Sequence, residues 1–290
     1  MQNRRDFLKS TSLLLAGGLI APKLFASDST MESKKNMGFQ LYSLRDLIGN
    51  SGIQAALEAV SKIGYKKLET AGYNNGKIYG LTPADFKKRA DDLGLECTSA
   101  HLGQSWSKEK EAVVMAWWDQ AIEAHHLLGA KYMVQASMPV NEKSKIDDLK
   151  TYCDYFSMVG KKTAAAGIAF GYHNHTVEFK KIGDQVIYDF MLENCSKEVL
   201  FELDVYWCQE GGANPVEYLK NHARQIKLTH IKDAKEIGAS GTMDFKGIFK
   251  QMNKNRIKDW FVEIEQYTNN DPVESAQLSF DFLNKSKFVK

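Results

Sequence analysis

The chain has 290 residues, 43% hydrophobic and 26% charged, an ordinary balance for a soluble globular enzyme. This length suits one large α/β domain, since α/β barrels run to roughly 250 residues as a single unit. The formal net charge is +2. Arg4, Arg5, Lys9 and Lys23 against Asp6 place +3 in the first 26 residues, leaving the body near −1; that excludes a phosphate-backbone footprint, so no nucleic acid partner is expected.

Residues 1–26 read as an export signal. Asn3-Arg-Arg-Asp-Phe-Leu-Lys9 is of the twin-arginine kind, an apolar run follows from Leu13 to Ile20, and Leu24-Phe-Ala26 offers a small residue for cleavage. The run is shorter than the ~20 residues a spanning helix needs. A periplasmic or exported location is therefore expected, with no stable membrane anchor after cleavage. Cysteines 97, 153, 195 and 208 form no Cys-x-x-Cys pair and read as buried free thiols; an exported address permits a disulfide, but the spacing predicts none.

Residues 27–36 are polar and aperiodic, and read as a disordered lead-in. From residue 37 to 290 a single domain is expected. Its first strand runs from Met37 to Leu41, ahead of Arg45, and residues 53, 56, 57, 60 and 63 are apolar at helical spacing. A joint then recurs four times: a helix, a glycine (Gly64, Gly94, Gly129, Gly167) and a short apolar strand. A left-handed glycine closes a helix without a Cβ clash. Helix starts recur too. Thr82-Pro, Asn214-Pro and Asp271-Pro each put a capping oxygen before a first-turn proline, and an acid follows two residues after the proline.

The remaining strands are predicted at Val199–Asp204, Gln225–His230 and Trp260–Glu265, and the remaining helices at about 108–128, 145–166, 184–193, 215–222, 244–253 and 272–285. Eight strands alternating with eight helices require parallel pairing and right-handed crossovers. In one block of this size they predict a closed (β/α)8 barrel. No glycine-rich dinucleotide fingerprint follows the first strand, which weakens an open doubly wound sheet.

The strand carboxyl ends carry Glu69, His101, Gln135, His173 with His175, Asp204, His230, and Glu263 with Glu265. A barrel converges those ends on one mouth. So many imidazoles and carboxylates together call for a cation, and their mixed N/O chemistry suits manganese, zinc, iron or cobalt better than calcium. Asp204 and His230 terminate otherwise apolar strands, where burial without partners costs several kcal/mol. Glu202 shares a strand face with Asp204; one of the two fills a supporting position, and Asp204, nearer the end, is the better ligand candidate. His125, His126 and His222 lie in or near helices and read as structural or exposed.

Gly171-Tyr-His-Asn-His-Thr-Val-Glu-Phe179, Leu203-Asp-Val-Tyr-Trp207, Leu228-Thr-His-Ile-Lys-Asp233 and Phe261-Val-Glu-Ile-Glu265 resemble the xylose-isomerase-like sugar phosphate isomerase/epimerase barrels. Gln40-Leu-Tyr-Ser-Leu-Arg45 and Leu68-Glu-Thr-Ala-Gly-Tyr73 agree, so the likeness spans about 37–285. It implies a TIM barrel binding one divalent metal (Mn, Zn, Co, Fe or Mg) through Asp204, His230 and Glu263. The first ligand departs from the family pattern, because His173 stands where many relatives have glutamate; either His173 ligates or Glu178 swings in, with His173 favoured by strand geometry.

An isomerase or epimerase is implied, acting on a small-molecule sugar by proton abstraction beside a carbonyl. Glu178 and Glu265 are the candidate bases, and His175, Lys232 and His101 the candidate donors. Glu69, His101, Trp106 and Trp207 are expected to contact the sugar. Lyase chemistry on a 3-keto-glycoside is the second possibility, and a non-catalytic sugar-binding barrel the third. An oligomer is compatible with all of them.

Overall fold

The computed structural model describes residues 35–290; the export signal and most of the predicted lead-in lie outside that range. Eight parallel strands close into a barrel: β1 (Gly38–Gln40), β2 (Lys67–Thr70), β3 (Glu96–His101), β4 (Tyr132–Gln135), β5 (Ala169–His173), β6 (Val199–Asp204), β7 (Ile226–Ile231) and β8 (Asp259–Val262). β8 pairs back onto β1, with Gly38 beside Phe261. Helices α1 (Arg45–Ile63), α2 (Pro83–Asp92), α3 (Glu111–Leu128), α4 (Ile146–Ala165), α5 (Ile187–Asn194), α6 (Val205–Glu210), α7 (Pro215–Asn221), α8 (Phe245–Asn255) and α9 (Pro272–Lys285) follow the strands. This is a single-domain (β/α)8 TIM barrel.

The local chemistry explains the punctuation. Gly64, Gly94, Gly129 and Gly167 all have positive φ, and at Gly129 the left-handed cap turns its N–H back onto the last carbonyls of α3. Thr82, Asn214 and Asp271 accept first-turn amides of α2, α7 and α9, each worth about 1 kcal/mol to its helix. α1 starts eight residues before the predicted amphipathic stretch because Gly52, at φ 79°, interrupts it. α6 is a six-residue helix, too short for periodicity to reveal.

Inside the barrel, side chains stack in layers. At the amino end Lys67 pairs with Asp259, which also accepts from Tyr132 Oη at 3.0 Å. Above them Val134, Leu228 and Phe261 form a small apolar plug distinct from the main core between strands and helices. The polar layers that follow sit at the carboxyl ends of the strands, the end that carries function in this architecture.

Candidate metal centre and active site

The deeper polar layer is built on β2, β3, β6 and β7. Period-two alternation turns Glu202 and Asp204 inward together, while register sets His173 beside Glu202 and His230 beside Asp204. Glu69 is fully buried and accepts from Gln40 Nε2 at 2.7 Å, Ser99 Oγ at 2.6 Å and His230 Nε2 at 2.6 Å. His101 Nε2 lies 2.8 Å from Glu202 Oε2, and its ring stacks on His230 at 4.9 Å. Burial works to lower the His101 pKa, but the Glu69 and Glu202 carboxylates outweigh it and the net shift is upward.

Above this layer, potential ligand atoms of His173, Asp204, His230 and Glu263 all lie within 4.8 Å of one another, with all four residues buried. His173 Nε2 stands 3.5 Å from Asp204 Oδ2. His230 Nδ1 stands 4.0 Å from that same oxygen and 3.2 Å from Glu263 Oε2. His173 Nε2 and Asp204 Oδ2 are buried without a hydrogen-bond partner, a costly arrangement for polar atoms. Burial, aided by His230 and His101, holds the His173 pKa well below its usual value, which favours the neutral ring with one unprotonated nitrogen able to ligate.

Burial likewise pushes Asp204 up to about 7, with Glu263 adding to the shift and Lys232 and His230 opposing it. Glu263 goes the other way: Lys232 and His230 overcome its burial and hold it well below the carboxylate range.

Those two orphaned atoms fit a divalent cation. Two imidazoles and two carboxylates suit zinc, iron, manganese or cobalt, and three of the four, Asp204, His230 and Glu263, are held by hydrogen bonds from outside the cluster. Asp204 caps α6, its Oδ1 accepting the Trp207 N–H at 2.8 Å, which leaves Oδ2 aimed at the histidines. Asn174 clamps the Asp204 backbone through both amide atoms, at 3.1 and 3.3 Å. Glu69 holds His230 Nε2, so Nδ1 is the nitrogen left to bind. A carboxylate on the far nitrogen of a ligand histidine fixes tautomer and raises basicity.

Of the four, His173 and Glu263 line a cavity of about 700 Å³ whose walls also include Tyr42, His101, Gln135, His175 and Glu265, and Asp204 and His230 lie behind them. Lys232 Nζ, almost fully buried, donates to Glu263 Oε2 at 2.9 Å and to Glu265 Oε1 at 2.5 Å, and lies 5.0 Å over the Trp207 ring. Glu265, with its side chain 31% exposed, is thus a solvent-reachable carboxylate held beside an ammonium. Burial lowers the His175 pKa, against the pull of Glu263 and Glu265.

Four expected residues stand elsewhere. Glu178 is buried behind β5, where Tyr172 Oη and the His175 amide donate to its two oxygens at 2.6 and 2.7 Å; it belongs neither to the ligand cluster nor to the cavity wall. Tyr172 points to the helices, opposite in phase to His173, and draws Glu178 with it. Glu69 is fully buried, is not among the residues lining the cavity, and holds His230 Nε2 at 2.6 Å. Trp106 turns into the protein and stacks on Tyr155 at 5.8 Å. Trp207 packs on Lys232 rather than lining the cavity. Glu202, Asn174 and Gln40 complete the site. Of these, strand alternation flagged only Glu202; Asn174 and Gln40 stand within the family-like motifs, where nothing local assigns them a role.

His125 donates from Nδ1 to the Ala121 carbonyl at 2.7 Å inside α3, a structural role. The four cysteines are all free thiols. No described helix is long and apolar enough to cross a membrane.

Known proteins resemble this chain in sequence and fold. A model of the xylose isomerase-like TIM barrel matches residues 57–286. A solved sugar phosphate isomerase/epimerase from Parabacteroides distasonis is 38% identical, covers 88% of this chain and 100% of its own, and superposes with a TM-score of 0.83. The inosose dehydratase of Clostridium botulinum is 21% identical over 299 residues, 89% of this chain and 95% of that protein. The 3-keto-D-glucoside 4-epimerase of E. coli, 18% identical over 87% of this chain and 100% of its own, shares the fold at a TM-score of 0.65. With its barrel closed and most of its length matched, the chain belongs to the xylose isomerase-like TIM barrel family.

Proposed function

We propose that this protein is a divalent-metal-dependent isomerase or epimerase that removes the proton beside a carbonyl of a free or oxidised sugar. The observation that carries the reading is the pair of unpartnered buried atoms, His173 Nε2 and Asp204 Oδ2, converging with His230 and Glu263 next to a cavity that His173 and Glu263 line. When bound there, a divalent ion supplies Lewis-acid polarisation of a sugar carbonyl, which acidifies the neighbouring C–H.

The chain's own residues handle the proton. Glu265 reaches the cavity and takes it at a carboxylate oxygen, while Lys232 fixes that carboxylate and holds positive charge beside it. His175 and His101 stand on the cavity wall as donors to the developing oxyanion. Asn174, Glu69 and Gln40 move no proton and keep Asp204 and His230 in place.

Charge in the wall speaks to the substrate. Among the described residues lining the cavity there is no Arg or Lys, and Glu263 and Glu265 are acidic. A phosphate ester would find no Arg or Lys side chain in that wall to pair with. Reading residues 1–26 as a twin-arginine signal supports the same choice, because it sends the protein to where free and glycosidic sugars are found.

β-Elimination from a 3-keto-glycoside is the second reading. Glu265, His175 and His101 on one wall favour it, since the carboxylate can take the α-proton while an imidazole protonates a leaving oxygen. Elemental analysis of natively produced protein, followed by deuterium exchange and product analysis on a keto-sugar panel, tests both. Metal-loaded protein that exchanges no α-proton and converts no keto-sugar would end both readings.

A further inference from the structure

We infer that Tyr42 is the platform of an outer subsite that takes the non-reacting ring of a glycoside at the cavity mouth. The inference rests on the reading of the cavity as a sugar-transforming site and extends it to the size of the substrate.

Among the described residues, Tyr42 is the exposed large hydrophobic side chain that borders the cavity, and it is 46% exposed. The Arg45 guanidinium covers one face of its ring, 4.8 Å from the centroid. A cation at that distance attracts the ring and leaves the opposite face for a ligand. An aromatic face left to solvent at the rim of a polar cavity suits the apolar C–H face of a pyranose or an aryl group.

The backbone that carries the platform is also tied to the candidate metal centre. The Tyr42 amide donates to Gln40 Oε1 at 3.0 Å; Gln40 Nε2 donates to Glu69 Oε1 at 2.7 Å, and that oxygen holds His230. On its other side Arg45 donates to the Tyr42 carbonyl at 3.3 Å, to Tyr267 Oη at 2.9 Å and to the Glu265 carbonyl at 2.8 Å. Tyr42 is therefore tied both to a candidate metal ligand and to the segment bearing the candidate base. A ring stacked on it is placed at a set distance from the floor, as a substrate longer than one sugar unit requires. The cavity, at about 700 Å³, has the room.

The test compares full-length, metal-loaded protein with Tyr42→Ala and Tyr42→Phe, using 3-ketoglucose and phenyl 3-keto-β-glucoside as probes. KM is measured by turnover, and binding by calorimetric titration. The expected result is that Tyr42→Ala raises KM and Kd for the phenyl glycoside at least tenfold more than for the free keto-sugar, while Tyr42→Phe keeps the wild-type ratio. An equal change for both probes, or none for either, would overturn the subsite even in an active enzyme. Without turnover by the unaltered protein the chemical reading falls, and the titration still decides the subsite: Tyr42-dependent preference for the phenyl glycoside sustains it, and no preference removes it.

Discussion

Glu69 Oε1 accepts a hydrogen bond from His230 Nε2 at 2.6 Å, across 161 residues of sequence and through the centre of the barrel. The contact decides which nitrogen of His230 faces Asp204 and Glu263, so a residue outside that four-membered cluster sets the chemistry of one within it.

Removing that support while keeping the shape should weaken metal binding without emptying the fold. For Glu69→Gln, a 10- to 100-fold loss of metal affinity is expected, the usual effect of altering a carboxylate behind a ligand histidine. Chelator competition reads it, and an unchanged dissociation constant would refute the assignment.

Asp204→Asn should separate stability from function. The amide retains an oxygen for the Trp207 cap but removes a buried carboxylate whose pKa burial pushes up to about 7. Metal-free variant is expected to melt a few degrees above metal-free wild type, at about 2–4 °C per kcal/mol for a domain this size. It should also gain no further stability from added metal and lose turnover by about a thousandfold or more. Calorimetry with and without metal checks both halves.

Lys232→Met and Glu265→Gln are expected to keep the metal and lose turnover. Each removes one partner of the pair placed for proton transfer, which typically contributes 10²- to 10⁴-fold. Metal stoichiometry near the wild-type value together with a kcat fall in that range is the expected pattern. Loss of metal in step with activity would instead make Lys232 a support for Glu263.

Acid sensitivity has a source remote from the site. Burial lowers the His125 pKa from 6.5 to about 4. Below pH 6.5 the unfolded chain takes up a proton that the native ring refuses, so this stability is present above 6.5 and declines as pH falls toward 4. The shift is worth about 3 kcal/mol. His125→Asn cannot titrate there, and urea midpoints in chelator should show a shallower fall between pH 6.5 and 4. A slope identical to wild type would contradict the assignment.

Periodicity and punctuation made the barrel legible before any coordinates. Strand-ending polar residues mark β6 and β7 because Asp204 and His230 close apolar runs, and glycine joints mark where β2 to β5 begin, since only positive φ closes those helices compactly. The same signals put His173, Asp204, His230 and Glu263 among the polar residues at or just past the strand ends. The family resemblance singled out Asp204, His230 and Glu263 and left His173 or Glu178 as the fourth, and the folded chain gathers His173 with the other three.

What the sequence could not decide lies past the strand ends and across the barrel. Glu178 has no period to fix its direction; the Tyr172 hydroxyl and the His175 amide draw it behind β5. Trp106 looks like a sugar platform until Tyr155 offers its ring a buried face. Glu69 looks like a mouth residue until register sets its depth below His230. Local sequence determined which side chains face inward, because alternation is a property of one strand. Only closure of the barrel decided their height and their neighbours, because those depend on stagger between strands that meet from distant parts of the chain.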